Sequence, residues 1–118
     1  VVRDGLIVDW DAVVGKAVLD RVFSIDGARY FGEVAIGTNY SINTATKNIL
    51  FDEKMGGCIH MAVGASYPET GGLNESAVHW DMIKHMDDGG QIWVDDELIY
   101  ENGTFLLSEA ADLKTVFK

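Results

Sequence analysis

His79-Trp80-Asp81 lies in the run Ala77-Val78-His79-Trp80-Asp81-Met82-Ile83, whose composition predicts a β-strand. Side chains alternate across a strand, so His79 and Asp81 share one face and Trp80 takes the other. An imidazole beside a carboxylate on a rigid element can hold a metal ion or move a proton. The plainer alternative is a structural ion pair. Four other residues pose the same choice. Glu33 interrupts the apolar run Phe31-Gly32-Glu33-Val34-Ala35-Ile36. Buried and unpaired it would be costly, so it is either a site residue or a solvent-facing edge residue. His60 sits between Ile59 and Met61, as a ligand or as a core histidine bonded to a backbone carbonyl. Glu53 falls on a short predicted helix, where exposure is the default. Tyr67 precedes Pro68, which keeps the backbone extended. Its phenol can donate to a developing oxyanion or simply pack.

Taken together, two glutamates, two histidines and an aspartate suit hydrolytic divalent metals, which favour carboxylate oxygens with a few imidazoles. The chain has no thiolate cluster for a structural zinc, no glycine-rich phosphate loop and no Gly-x-Ser-x-Gly elbow. Its single Cys58 excludes an internal disulfide, and its apolar neighbours predict a small buried residue in a reducing compartment. A thiol nucleophile activated by His60 is the rival reading, and it requires an exposed, rapidly alkylated Cys58. His85 is expected to be solvated beside a turn. Asp87, Asp88, Asp95, Asp96 and Glu97 fall in turns, where aspartate is favoured for local backbone reasons.

The elements that must position these groups are short. Gly5-Leu6-Ile7-Val8 predicts a strand, and Asp9 or Asp11 can cap a helix from Ala12 to Phe23, with Gly15 inside it. Arg29 to Gly37 predicts a strand, Thr38 to Thr46 a polar loop, and Lys47 to Met55 a short helix ended by Gly56-Gly57. Cys58 to Gly64 is an apolar segment and Ala65 to Ser76 a second loop. After the His79 strand and a turn at 87–90, Gln91–Val94 and Glu97–Tyr100 predict a hairpin around Asp95-Asp96. Glu101 to Thr104 turns into a last strand, and Ser108 to Asp112 opens a C-terminal helix. The class is α+β, a single compact domain of mixed or antiparallel strands with a few short helices.

At 118 residues the chain can bury a core unaided. A formal net charge of -10 argues against nucleic acid and against an anionic membrane as partners. No apolar run is long enough for a transmembrane helix and no signal peptide is visible, so a cytoplasmic location is expected.

In order along the chain, Gly32-Glu33-Val34-Ala35, Asn48-Ile49-Leu50-Phe51-Asp52-Glu53-Lys54, the stretch from His60 to Tyr67-Pro68, Asn74-Glu75-Ser76 and His79-x-Asp81 resemble the thermophilic-aminopeptidase family. That resemblance implies a two-metal exopeptidase using zinc, cobalt or magnesium, with Glu33, His60, His79 and Asp81 as metal ligands. Glu53 then matches a glutamate that ligates metal or acts as acid/base, and Tyr67 the tyrosine that stabilises the tetrahedral intermediate. The substrate implied is a peptide with a free N-terminus, its amine bound by metal or an acidic wall. Water activated between the two ions would attack while Glu33 or Glu53 moves the proton. The interval from Lys54 to Ile59 is longer than the family's spacing, and nothing before Glu33 matches a further glutamate ligand. The resemblance therefore implies that residues 1–118 form the C-terminal metal-site domain of a longer metallo-aminopeptidase, a homodimer at full length and inactive as a fragment. The alternative is a non-catalytic, acidic α+β binding or interaction module with structural polar residues.

Overall fold

The computed structural model describes residues 1–110 and 112–113. The described chain is α+β, with three small sheets and a few short helices. It divides into two compact units, residues 1–34 with 61–82 and residues 35–60 with 83–118.

In the first unit, β1 (Val2–Arg3) and β2 (Leu6–Ile7) pair antiparallel across Asp4-Gly5. Both turn residues have positive φ, the backbone of a type I′ hairpin turn. Helix α1 (Lys16–Val22) is shorter than the predicted Ala12–Phe23. The reason is Gly15, whose φ of 82° is left-handed and which therefore precedes the helix rather than lying within it. Neither Asp9 nor Asp11 caps α1, and the Asp11 carboxylate instead accepts from the Ala12 amide. Asp20 accepts from Lys16 one turn away and from the Trp10 indole, each at 2.7 Å. Trp10 packs edge-on against Phe23. Ile7, Phe23 and Val63 form the buried core, with Trp10, Leu19, Val22 and Phe31 against it.

A second sheet has the order β3 (Phe31–Ile36), β4 (Cys58–Gly64), β5 (His79–His85). The apolar Cys58–Gly64 segment is thus a strand. Gly32 is required by packing, since a Cβ there would lie 2.1 Å from the Ala65 carbonyl oxygen. From Ala65 to Val78 the chain is a loop containing one 3-10 turn, Pro68–Thr70, and it is tied down throughout. The Asn74 amide donates to the Gly27 and Gly64 carbonyls, Ser66 to Asn74, and Ser76 to Asp26.

In the second unit, α2 (Ile49–Asp52) is a single turn capped by the Asn48 side chain, within the predicted Lys47–Met55. Strands β6 (Gln91–Val94), β7 (Glu97–Glu101) and β8 (Thr104–Phe105) form the expected meander, bulged between Ile92 and Trp93. Tyr100 is fully buried, edge-on to Phe105. Ser108–Ala110 is a 3-10 turn in place of the start of the predicted C-terminal helix, of which Ala111 lies outside the described residues.

Two outcomes follow from this packing. Val63→Ala, at a site with no exposed surface, is expected to destabilise by about 1–3 kcal/mol, read as a lower urea midpoint at unchanged slope. The hydrogen bonds from Lys16 and Trp10 hold the Asp20 carboxyl below its usual range. Its contribution is therefore present above the ordinary aspartate pKa and lost as pH falls through the lowered one. Acid titration at low salt is expected to loosen α1 in the wild type and to leave Asp20→Asn flat over the same interval, an effect weakened by added salt.

Candidate metal centre

Within the first unit, His79 stands between two carboxylates. Its Nε2 is 3.3 Å from Glu33 Oε2 and 3.7 Å from Asp81 Oδ1. The side chains are 27%, 26% and 16% exposed, low enough for a charge to be felt and open enough for a ligand to enter. The β5 alternation delivers this arrangement, with His79 and Asp81 meeting Glu33 while Trp80 and Met82 point elsewhere and remain part exposed.

The tautomer of His79 follows from its other nitrogen. Nδ1 lies 2.7 Å from the Ala65 carbonyl oxygen, which can only accept, so Nδ1 carries a proton and donates. In the neutral ring Nε2 then presents a lone pair toward two carboxylates. Three acceptors at this spacing are reconciled only by a proton or a metal cation among them. His60, buried on β4, repeats the device in the second unit: its Nδ1 is 3.1 Å from the Glu53 carbonyl oxygen and donates to it. A histidine that gives its second N–H to a backbone carbonyl is oriented as metal-binding histidines are.

Within the first unit, Glu33, His79 and Asp81 each offer one donor atom. Two carboxylate oxygens with imidazole nitrogen form a fitting donor set for a divalent ion of the zinc, cobalt or magnesium kind.

Tyr67 leans edge-on against the His79 ring, centroids 5.3 Å apart, and is half exposed. It borders a cleft of about 610 Å³ that also takes in Phe31, Glu33, Val34, Met61 and the turn at 70–72. Of the expected site residues, Glu53 is placed differently. Its carboxylate pairs with Lys54, and what it contributes to the site is its backbone carbonyl, held to His60. Sequence reasoning overlooked three supports: the Ala65 carbonyl, the Asn74 amide that pins its loop, and the buried Asp52. Asn74 belongs to the Asn-Glu-Ser segment and Asp52 to the Leu-Phe-Asp-Glu segment, so the signal was present without the role.

The sequence matches the thermophilic metalloprotease (M29) family over residues 1–105 of 118. The chain belongs to that family. Membership makes it a metal-dependent peptidase by descent, in agreement with the donors Glu33, His79 and Asp81. No curated protein matches the chain. Among the described residues, no helix is long and apolar enough to cross a membrane.

The thiol alternative meets a contrary geometry. Cys58 is 1% exposed, and its sulfur lies 3.3 Å from His85 Nδ1 rather than being served by His60. Burial, followed by the charges of Asp87 and Asp52, pushes the thiol pKa up. His85, expected to be only solvated, is thus the cysteine's partner. Iodoacetamide is expected to alkylate native Cys58 on the order of tenfold or more slowly than a free thiol, and urea to abolish the difference. Cys58→Ser is expected to leave metal affinity unchanged.

Proposed function

We propose that this chain carries the metal-site domain of an aminopeptidase, with Glu33, His60, His79 and Asp81 holding divalent metal. The observation that carries the reading is the convergence of Glu33 and Asp81 on His79, an imidazole whose Nδ1 proton is already committed to a backbone carbonyl. Bound divalent metal supplies an acidified water and polarises a scissile carbonyl.

The protein's own groups supply the rest. Ala65 and Glu53 carbonyls keep the two imidazoles in the tautomer that donates from Nε2. Glu33, which also borders the cleft, is positioned to take a proton from an attacking water, and Glu53 is the second acid–base group. The hydroxyl of Tyr67, which borders the same cleft, donates to the oxyanion of a tetrahedral intermediate. A free α-amine on the substrate is attracted by the same carboxylates, which favours cleavage at the N-terminal bond. Two metal ions, a dimer at full length and a cytoplasmic setting belong to the same reading. The single buried free thiol supports the last of these.

A further glutamate ligand is expected from outside these residues, so the isolated chain is expected to bind metal weakly and turn over little. The test is cobalt titration followed by visible absorption, with hydrolysis of leucine p-nitroanilide alongside. Glu33→Gln, His79→Gln and Asp81→Asn are each expected to weaken cobalt binding about 10–100-fold. Unchanged affinity in all three would refute the metal assignment. Robust turnover by the 118-residue chain would refute the incomplete-site reading. Cleavage of internal but not N-terminal bonds by the intact enzyme would refute the exopeptidase assignment.

A further inference from the structure

The cleft beside Tyr67 is lined within the first unit alone, by residues 31–34, Met61, Tyr67 and the turn at 70–72. At about 610 Å³ it falls in the range of small-molecule sites, about 300–1,000 Å³. Phe31 packs against the core of Ile7, Phe23 and Val63, which makes it a fixed part of the lining. Met61, part buried on β4, and Val34, exposed on β3, complete an apolar wall. At the turn, Gly71 and Gly72 add no side chain to fill the space.

Charge enters this lining at one residue. Glu33 is its sole charged member, and the same carboxylate lies 3.3 Å from His79 Nε2. Tyr67 also belongs to both, lining the cleft while its ring leans on His79. The cleft therefore opens onto the carboxylate–imidazole group rather than lying apart from it. A ligand that matches it carries a cation at one end, to meet Glu33, and an apolar body beyond. The N-terminal residue of a peptide has that form when its side chain is apolar, because the α-ammonium and the side chain share one carbon. An acidic side chain finds no cation in the lining and meets Glu33 as a like charge.

We propose that this cleft receives the side chain of the substrate's N-terminal residue, with Met61 as the specificity-determining residue of its wall. The proposal rests on the aminopeptidase reading above and needs only residues of the first unit. An unbranched thioether repacks around ligands of different shape, so Met61 admits leucine, methionine and phenylalanine side chains alike. Shortening it to alanine removes apolar contact from each of these and takes nothing from glycine, which has no side chain to place there. The cleft is open to solvent, so an aliphatic side chain gains part of its full transfer free energy. That corresponds to about tenfold in affinity for leucine over glycine.

The experiment titrates the metal-free full chain with leucinamide, glycinamide, argininamide and the α-amide of glutamic acid, following the Met61 and Val34 methyl signals by NMR. Leucinamide is expected to bind about tenfold tighter than glycinamide and to shift both methyls, with the glutamic acid amide the weakest of the four. Met61→Ala is expected to weaken leucinamide about threefold and to leave glycinamide unchanged. Met61→Leu, which keeps an apolar side chain of similar volume, is expected to stay within about twofold of the wild type. Equal affinity for leucinamide and glycinamide, or methyls that do not move, overturns the proposal. Tighter binding of argininamide than of leucinamide overturns it in favour of a cationic side chain. An unchanged leucine-to-glycine ratio in Met61→Ala overturns the role of Met61. If Met61→Ala does not fold, Met61→Gln, close in size but polar, is read in its place by the same criterion. Absence of cobalt binding by the wild type would count against the metal reading alone, because these titrations contain no metal.

Discussion

Everything at this site depends on one electrostatic constraint: groups that only accept hydrogen bonds have been brought within bonding distance of each other. Glu33 and Asp81 offer carboxylate oxygens, and His79 offers a nitrogen whose partner nitrogen already donates its N–H to the Ala65 carbonyl. Lone pairs facing lone pairs are tolerated only with a proton or a metal cation between them. A folded chain that assembles such a group must supply the free energy to hold it, or bind something positive there. The acceptors are also the atoms that hard divalent ions prefer, and a structural ion pair needs only one carboxylate. That difference is why the arrangement reads as a metal centre.

The scaffold addresses the constraint with backbone carbonyls and short loops rather than with long regular elements. In the first unit, the loop from Ala65 to Val78 would be free to move without the Asn74, Ser66 and Ser76 bonds that fasten it. Its first residue, Ala65, also sets the tautomer of His79, so pinning the loop and tuning the imidazole are one task. Gly32 lets β3 approach that same loop, because any side chain would strike the Ala65 carbonyl. In the second unit, the one-turn α2 does for His60 what this loop does for His79, with a buried carboxylate replacing the missing apolar anchor. Both histidines are therefore held by main-chain oxygens in segments fastened by polar side chains, Asn74 in the Ala65 loop and Asp52 beside Glu53.

Local signals in the sequence carried much of the fold. The strand around His79, the hairpin around Asp95-Asp96 and the turn before the last strand follow from alternation and turn chemistry, which act over a few residues. The limits of α1 were misjudged because apolar spacing across Val14 and Val18 looks helical whether or not Gly15 adopts a left-handed backbone. The Glu53 carbonyl was hidden for another reason: the residue type draws attention to the carboxylate, and a carbonyl carries no signature in the sequence because every residue has one. The same blindness hid Ala65.

The sequence by itself determined the candidate donors and their family. Glu33, His60, Tyr67, His79 and Asp81 are legible as polar exceptions in apolar or extended segments, and their order along the chain marks a metallopeptidase. Period-2 alternation alone put His79 and Asp81 on one face. Tertiary structure decided that Glu33 and Asp81 meet at His79, which carbonyl each histidine's Nδ1 serves, and that Cys58 belongs to His85 rather than His60. The physical reason is range. Side-chain type and alternation act within a strand, whereas the tautomer of an imidazole is set by whichever carbonyl the fold brings to it, fourteen residues away for His79 and seven for His60.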